Sequence, residues 1–385
     1  MTDGGYSIGA YDAMFADTVR GPAYLAAIAE VVRPGDVVLE VGTGTGYYAI
    51  AAVRAGARHV YAVERARTTG LARLVAEENG CADRITFIRG DAATVRLPEK
   101  ADVLLCDLRG ATPLFGDGIA TVVAVRARHL NDDARIIPLR DELYGAPCTA
   151  PREWAATELA LGPAPHGIRR GPLARVVRSE LTRDTIGAEE LLAAPTRLHT
   201  IDYASVSSAD LDVTTEWVVS VGGEAHGIAL WFDAHLSPTA RFTTAPGGPR
   251  SVYGQGFLPW ERPVTLAAGE RVTCRLRAKV MDGRYIFAWD TSVSRADGTT
   301  DEMHQSSLAA LLGSEAELMR RRNTFVPAAE EYRDVQTLLR FVDGKRSVAD
   351  IAREVFAALP ERFDSTDDAF VWVSAMLAAV AEAAE

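Results

Sequence analysis

The densest chemical signal in the chain is a run of alternating glycines, Glu40-Val41-Gly42-Thr43-Gly44-Thr45-Gly46. Glycines at that spacing let the backbone turn sharply and let a ligand approach it closely. The pattern is GxGxG, not the GxGxxG of dinucleotide binders. Acids follow in order. Glu64 ends the next apolar run, His59 to Val63, where it can accept hydrogen bonds from both hydroxyls of a ribose. Asp91 and Ala92 follow Gly90 after a third apolar run and would mark the edge of an adenine. Together these residues point to S-adenosylmethionine, with S-adenosylhomocysteine as the spent product. Further on, Asp107 and Asp117 offer carboxylates that can hold a cationic amine or take a proton from an attacking acceptor.

The elements around these residues must deliver them to one place. Asp36 to Val41 reads as a strand, followed by a helical stretch to Ala55. A second strand over His59 to Val63 leads to a helix ending near Asn79, and further strands cover Arg84 to Arg89 and Ala101 to Cys106. Strands alternating with helices predict an α/β Rossmann-like unit with a parallel sheet. A helical pattern from about Ala10 to Val32 precedes it. Beyond Arg140 the pattern turns to strands. Val272, Cys274, Leu276, Ala278 and Val280 alternate with Arg271, Thr273, Arg275, Arg277 and Lys279, which marks a half-buried strand with a solvated basic face. This region reads as a β-barrel or sandwich. The end of the chain is helical, with Ser347 placed to cap a helix running to Leu359. The expected division is a helical segment over 1–32, a cofactor domain over 33–142, a β-barrel domain over 143–306 and a helical domain over 307–385.

Composition narrows the function. Of 385 residues, 48% are hydrophobic and 24% charged, as in ordinary globular proteins. The formal net charge of −11 makes the chain a poor holder of nucleic acid by its phosphates. Cys81, Cys106, Cys148 and Cys274 are widely spaced, which predicts no metal site, no disulfide framework and a cytoplasmic setting. No leader pattern opens the sequence. The longest nearly apolar run, Ala369 to Ala381, is too short for a bilayer, so no membrane partner is expected.

Met14 to Arg20, then Tyr24, Ala27 and Ile28, then the strand-glycine-loop unit and the strand ending in Glu64, closely resemble the protein arginine methyltransferases. The resemblance covers roughly residues 10–300. It implies a Rossmann-like cofactor domain, a barrel, and a homodimer formed through an arm at about 151–182. It also implies that Met14 and Arg20 close over the cofactor, with Arg20 on its carboxylate. Glu40, Gly42, Thr43 and Gly44 would cradle the amino-acid portion, and Glu64 the ribose.

Departures from the family pattern shape the expected acceptor. The family's two acceptor glutamates correspond to Asp107 and Asp117, each a methylene shorter, and Arg109 places a positive charge between them. The Thr-His-Trp loop aligns with Ser251-Val252-Tyr253, and of the paired N-terminal tyrosines only Tyr6 and Tyr11 remain. These features resemble the bacterial natural-product-tailoring branch, which implies methylation of a small molecule or short peptide, with carbon 3 of an indole as the favoured acceptor. Asp107, Asp117 and Tyr11 are the expected catalytic residues, and Tyr6, Arg109, Tyr253 and Gln255 the substrate contacts. The string Tyr253 to Phe257 and the aromatics Tyr11, Trp231, Phe232 and Trp260 would shape a pocket for a flat ring, with His226 or His235 as further base candidates, though a strand histidine is more often structural. The alternatives are a true arginine N-methyltransferase and a cofactor-binding peptide adaptor. The C-terminal segment around Leu338 to Ile351 resembles the winged-helix peptide-recognition domains of peptide-modifying pathways.

Overall fold

A computed structural model describes residues 7–159, 171–281, 283–308 and 330–381. Two compact units divide the chain, Met1–Leu311 and Leu312–Glu385.

The first unit opens with α1 (Ile8–Phe15) and α2 (Arg20–Val31). One continuous helical pattern is therefore broken into two. Asp17 causes the break: its Oδ1 accepts the backbone N–H groups of Val19 and Arg20, both at 2.8 Å, supplying the first turn of α2 with acceptors. A parallel sheet follows, built from β1 (Val37–Val41), β2 (His59–Glu64), β3 (Ile85–Arg89), β4 (Ala101–Cys106) and β5 (Leu130–Ile137). Helices α3 (Tyr47–Arg54), α4 (Thr69–Glu78) and α5 (Gly118–His129) connect the strands. The central strand β1 is buried at all five positions because the sheet is covered on both faces. Strand order is β3-β2-β1-β4-β5, so the chain reverses direction across the sheet between β1 and β4. Ligands of open α/β sheets bind in the crevice at such a switch point, beyond the carboxyl ends of the strands. The glycine loop leaves β1 there, and Asp107 leaves β4 beside it.

The strand-rich region forms two antiparallel sheets. Six strands make the first: β6 (Arg140–Cys148), β7 (Thr182–Asp184), β8 (Thr196–Asp202), β10 (Gly223–His235), β11 (Arg241–Thr243) and β12 (Gln255–Leu266). Four make the second: β9 (Leu211–Val218), β13 (Arg271–Met281), β14 (Arg284–Ser294) and β15 (Thr300–Ser306). Hydrogen bonding thus splits the expected barrel into two sheets, which share one apolar core through Trp217, Leu230, Leu258, Trp260, Val272 and Trp289. The basic face of β13 is solvated and paired: Arg271, Arg275 and Arg277 meet Glu216, Asp212 and Asp290.

Between β6 and β7, helices α6 (Pro151–Leu159) and α7 (Gly171–Val177) occupy the expected arm. Trp154 Nε1 donates to the Trp260 carbonyl at 2.9 Å, and the Arg178 guanidinium lies 3.9 Å from the Trp154 ring centre. These contacts pin the base of the arm to the sheet. Of its apolar residues, Leu173 is exposed, while Leu161 and Ile168 lie outside the described residues.

The second unit's described residues form helices Glu330–Leu339, Val348–Ala358 and Thr366–Ala381 around Leu338, Ile351, Val355 and Val373. Ser347 caps the middle helix as expected, its Oγ accepting the Asp350 N–H at 3.2 Å. No strand, and so no wing, occurs among the described residues of this unit. No helix among the described residues is long and apolar enough to cross a membrane.

Candidate active site

The site is built from the glycine loop outward. Gly44 has φ of +55°, and a Cβ there would lie 2.7 Å from the Tyr11 ring. Only glycine lets the α1 tyrosine press so closely on the loop. The Glu64 carboxylate accepts the N–H groups of Gly44 and Ala66, both at 2.8 Å, which locks the end of β2 to the loop. Beneath it, buried Glu40 accepts the Thr43 hydroxyl at 2.5 Å. Burial outweighs that hydrogen bond and, with the Glu64 charge nearby, pushes the Glu40 carboxyl up to about 7.

A cavity of about 600 Å³ opens above these residues, lined also by Met14, Arg20, Tyr48 and Asp107. Buried Thr45 Oγ1 and Tyr48 Oη, both on its wall, have no protein partner. Buried polar atoms are nearly always hydrogen-bonded, so two orphans on a cavity wall mark where a polar ligand belongs. With a guanidinium at one side and a carboxylate at the other, the donor set fits the zwitterionic and hydroxylated S-adenosylmethionine.

A second cavity of about 620 Å³ adjoins the first, with Ala10, Leu181, Arg183, Val252 and Tyr253 on its far wall. Met14, Arg20, Asp107, Arg109 and Phe115 line both. Asp107 is the group at the junction. Its carboxylate pairs with Arg20 Nε and with Arg109 Nη1 at 3.1 Å, and the Tyr253 hydroxyl donates to both its oxygens, at 2.7 and 2.5 Å. Burial works against the Asp107 charge, but Arg20 and Arg109, helped by Tyr253, outweigh it and hold the carboxyl below the usual range. Burial likewise opposes the Arg20 charge, yet Asp107 keeps its guanidinium above the ordinary value.

Arg109 is anchored from behind. Its Nε and Nη2 meet Asp141 at 2.7 and 3.0 Å, its Nη1 meets the Tyr24 hydroxyl at 2.6 Å, and Tyr203 donates to Asp141 at 2.7 Å. Asp141 is wholly buried, so this bidentate pair is tolerable only because every member is hydrogen-bonded.

Several expected site residues fall elsewhere. Asp117 lines only the first cavity, where Arg65 holds it through contacts of 2.9 and 2.7 Å, so the two aspartates do not share the acceptor cavity. Asp91 pairs with Arg65 at 2.9 Å and Ala92 packs into the core, so neither lines the cavity. Both ends of the Gln255 amide are committed to backbone: Oε1 accepts the Ile186 N–H at 3.0 Å and the amide nitrogen donates to the Thr244 carbonyl at 2.7 Å. It ties strands together and does not face a ligand. Tyr11 reaches the cofactor cavity only, and Tyr6 lies outside the described residues. Trp231, Phe232 and Trp260 are buried and line neither cavity: the pleat sends the adjacent Trp231 and Phe232 to opposite faces of β10, each into its own core cluster, and Trp260 packs in a third. His226 accepts the Ala150 N–H at 3.3 Å and His235 lies 3.9 Å from Glu142; neither faces a cavity. Among the described residues no group of His, Cys, Asp and Glu could hold a metal ion.

Sequence reasoning missed Thr45, Tyr48, Arg65, Asp141, Tyr203 and Arg183. The first two had a signal, since Thr45 sits inside the glycine loop and Tyr48 in the first turn of α3 just after it.

Comparison with known proteins agrees with this architecture. Residues 149–289 match the arginine methyltransferase oligomerization subdomain, and residues 22–114 match the ribosomal protein L11 methyltransferase family. A probable histone-arginine methyltransferase CARM1 of Oryza sativa subsp. indica is 33% identical over 281 residues, covering 68% of this chain and 53% of that one. Protein arginine N-methyltransferase 1 of Schizosaccharomyces pombe is 26% identical, covering 72% of this chain and 84% of its own length. The chain thus spans about half the length of the first relative. Among solved structures, the Trypanosoma brucei PRMT1 enzyme-prozyme heterotetrameric complex with AdoHcy superposes with a TM-score of 0.70 at 23% identity, covering 78% of this chain and 98% of that one. The fold is that of the arginine methyltransferases. These matches overturn the expected natural-product branch and its indole acceptor: the relatives bear arginine methyltransferase names, and Trp231, Phe232 and Trp260, expected to shape an indole pocket, lie in the core.

Proposed function

We propose that this chain is an S-adenosylmethionine-dependent methyltransferase that methylates a side-chain nitrogen of arginine in a protein. The observation that carries the reading is the junction: a cofactor-sized cavity and an acceptor cavity meet at one ionised, buried carboxylate, Asp107. Relatives at 33% and 26% identity that bear arginine methyltransferase names support the same reading.

Gly42, Gly44, Glu64, Tyr48 and Arg20 would hold the cofactor, with Met14 closing over it. Bound there, the cofactor supplies an electrophilic sulfonium methyl for in-line displacement by a nitrogen. The chain's own task is orientation. Asp107 presents a fixed negative charge to an incoming guanidinium N–H. The Tyr253 hydroxyl, shared between both carboxylate oxygens, is the partner that such an N–H displaces from one of them. Arg20 and Arg109 stay in place and keep the carboxylate ionised.

The protein acts as a homodimer in this reading, with the α6–α7 arm reaching a partner copy, and in a reducing cytoplasm where its buried thiols stay free. The C-terminal helices serve as a peptide-recognition unit. The deciding experiment is mass spectrometry of arginine-rich proteins after incubation with the enzyme and S-adenosylmethionine. Methylarginine is the expected product. Cofactor binding with no methylarginine formed on any arginine substrate overturns the reading.

A further inference from the structure

The acceptor cavity is unbalanced in charge. Arg20, Arg109 and Arg183 line it, whereas Asp107 on its wall and Asp141 behind it are the acids that answer them. Asp107 and Asp141 are already ion-paired with Arg20 and Arg109. Arg183 is the surplus cation. It is exposed on β7, and its Nη1 donates to the Val252 carbonyl at 3.1 Å, with no carboxylate partner among the described residues. The neighbouring acids are spent elsewhere. Asp184 projects from the opposite face of the same strand and accepts the Thr182 hydroxyl at 2.5 Å. Asp17 accepts the N–H groups of Val19, Arg20 and Val252 at 2.7 to 2.8 Å.

The Val252 contact matters because it is a bond to backbone, in the turn that leads into β12 and whose Val252 N–H is itself held by Asp17. β7 is hydrogen-bonded to β12, with Arg183 opposite Gly256, so the base of the side chain is fixed while its guanidinium fork stays available. An arginine fork held this way is suited to planar or tetrahedral oxyanions, to which it can donate two hydrogen bonds.

We infer that Arg183 recognises an anionic group on the substrate beside the acceptor arginine, so that the preferred sequence carries an acidic neighbour, a carboxylate or a phosphoryl group. The inference rests on the reading of the acceptor as arginine. The protein's net charge of −11 draws basic peptides from a distance, and Arg183 then selects locally among them.

The test uses the full chain saturated with S-adenosylhomocysteine and three arginine peptides that differ at one flanking position: aspartate, phosphoserine or lysine. Binding is followed by fluorescence anisotropy. The wild-type protein should bind the better acidic peptide about fivefold more tightly than the lysine peptide, the scale of a partly exposed charge pair. Whether aspartate or phosphoserine leads identifies the source of the anion. R183E should abolish or invert the preference and R183K retain part of it, while cofactor affinity, measured by calorimetry, stays unchanged in both and reports an intact fold. A preference for the lysine peptide in the wild type, or the same preference in wild type and R183E, overturns the inference. Methylation of the same peptides is scored separately. Selective binding without methylarginine would remove the proposed activity and leave the recognition by Arg183 standing.

Discussion

Tyr253→Phe is the sharpest probe of the junction because it removes one oxygen and leaves the ring. The ring stays packed between Phe232 at 5.3 Å and Phe242 at 5.9 Å. What disappears is the donor to both Asp107 oxygens and the acceptor facing Arg20 Nε at 3.1 Å. A hydrogen bond to a charged group contributes roughly 1.5–3 kcal/mol. Arg20 and Arg109 still hold the carboxylate, so the cost stays below the 3–5 kcal/mol or so of a broken buried ion pair. A loss of about 2 kcal/mol follows, which for a unit of this size lowers Tm by roughly 3 °C. The pH dependence adds a second reading. Asp107 has a depressed folded pKa, so its contribution to stability is present above the unfolded value, near 3.9, and is lost as pH falls through the folded value. Without the hydroxyl the folded value moves back toward the unfolded one. The penalty of the variant should therefore be full at neutral pH and shrink in acid, below about pH 4. Denaturant melts stepped from neutral pH toward acid measure both quantities. A penalty that is absent at neutral pH, or unchanged in acid, would refute the placement of Tyr253 on an ionised Asp107.

Glu64→Ala should weaken cofactor binding by on the order of 2–4 kcal/mol, through lost ligand hydrogen bonds and a slackened Gly44 loop; undiminished binding in calorimetry removes the cofactor from this end of β2. Glu40, raised to about 7 by burial and then by the Glu64 charge, contributes stability in full below its unfolded value, and that contribution is lost as pH rises through about 7. Glu40→Gln should flatten this decline, seen as melts that vary less between about pH 5 and 8, and an unchanged slope counts against a neutral buried Glu40. Trp154→Ala removes the hydrogen bond to Trp260 and the Arg178 stack that fix the arm. Light scattering should show the wild type at twice the chain mass and the variant shifted toward monomer, whereas a fully active wild-type monomer would sink the role given to the arm.

The cofactor side was legible because its determinants are local. The glycine loop, Glu64 and the strand ends are read within one strand-turn-helix unit, and a parallel sheet brings successive carboxyl ends together without further information. Arg20 was reachable through the resemblance, since α2 begins on it. The central break between α1 and α2 was not, because it depends on the Asp17 side chain competing for backbone N–H groups, and a helical period carries no sign of that.

The acceptor side resisted for a different reason. Arg109 reads in sequence as a stray charge between two acids, whereas in the fold it is satisfied by Asp141, 32 residues away at the start of β6, and by Tyr24 and Tyr203. No periodicity links those positions; only the closing of the first antiparallel sheet against the cofactor domain does. Once Arg109 is neutralised from behind, it no longer argues against an arginine acceptor as a bare cation would. What it does is hold Asp107 ionised, and a carboxylate kept ionised inside a protein is what a guanidinium can exchange its water for. The same network explains why shortening the acids from glutamate to aspartate was misleading. Reach matters when two carboxylates must converge on one substrate, but Asp117 faces the other cavity and is held by Arg65. In the proposed reading the acceptor is met by one rigid carboxylate, and discrimination among arginines comes from the wall opposite it.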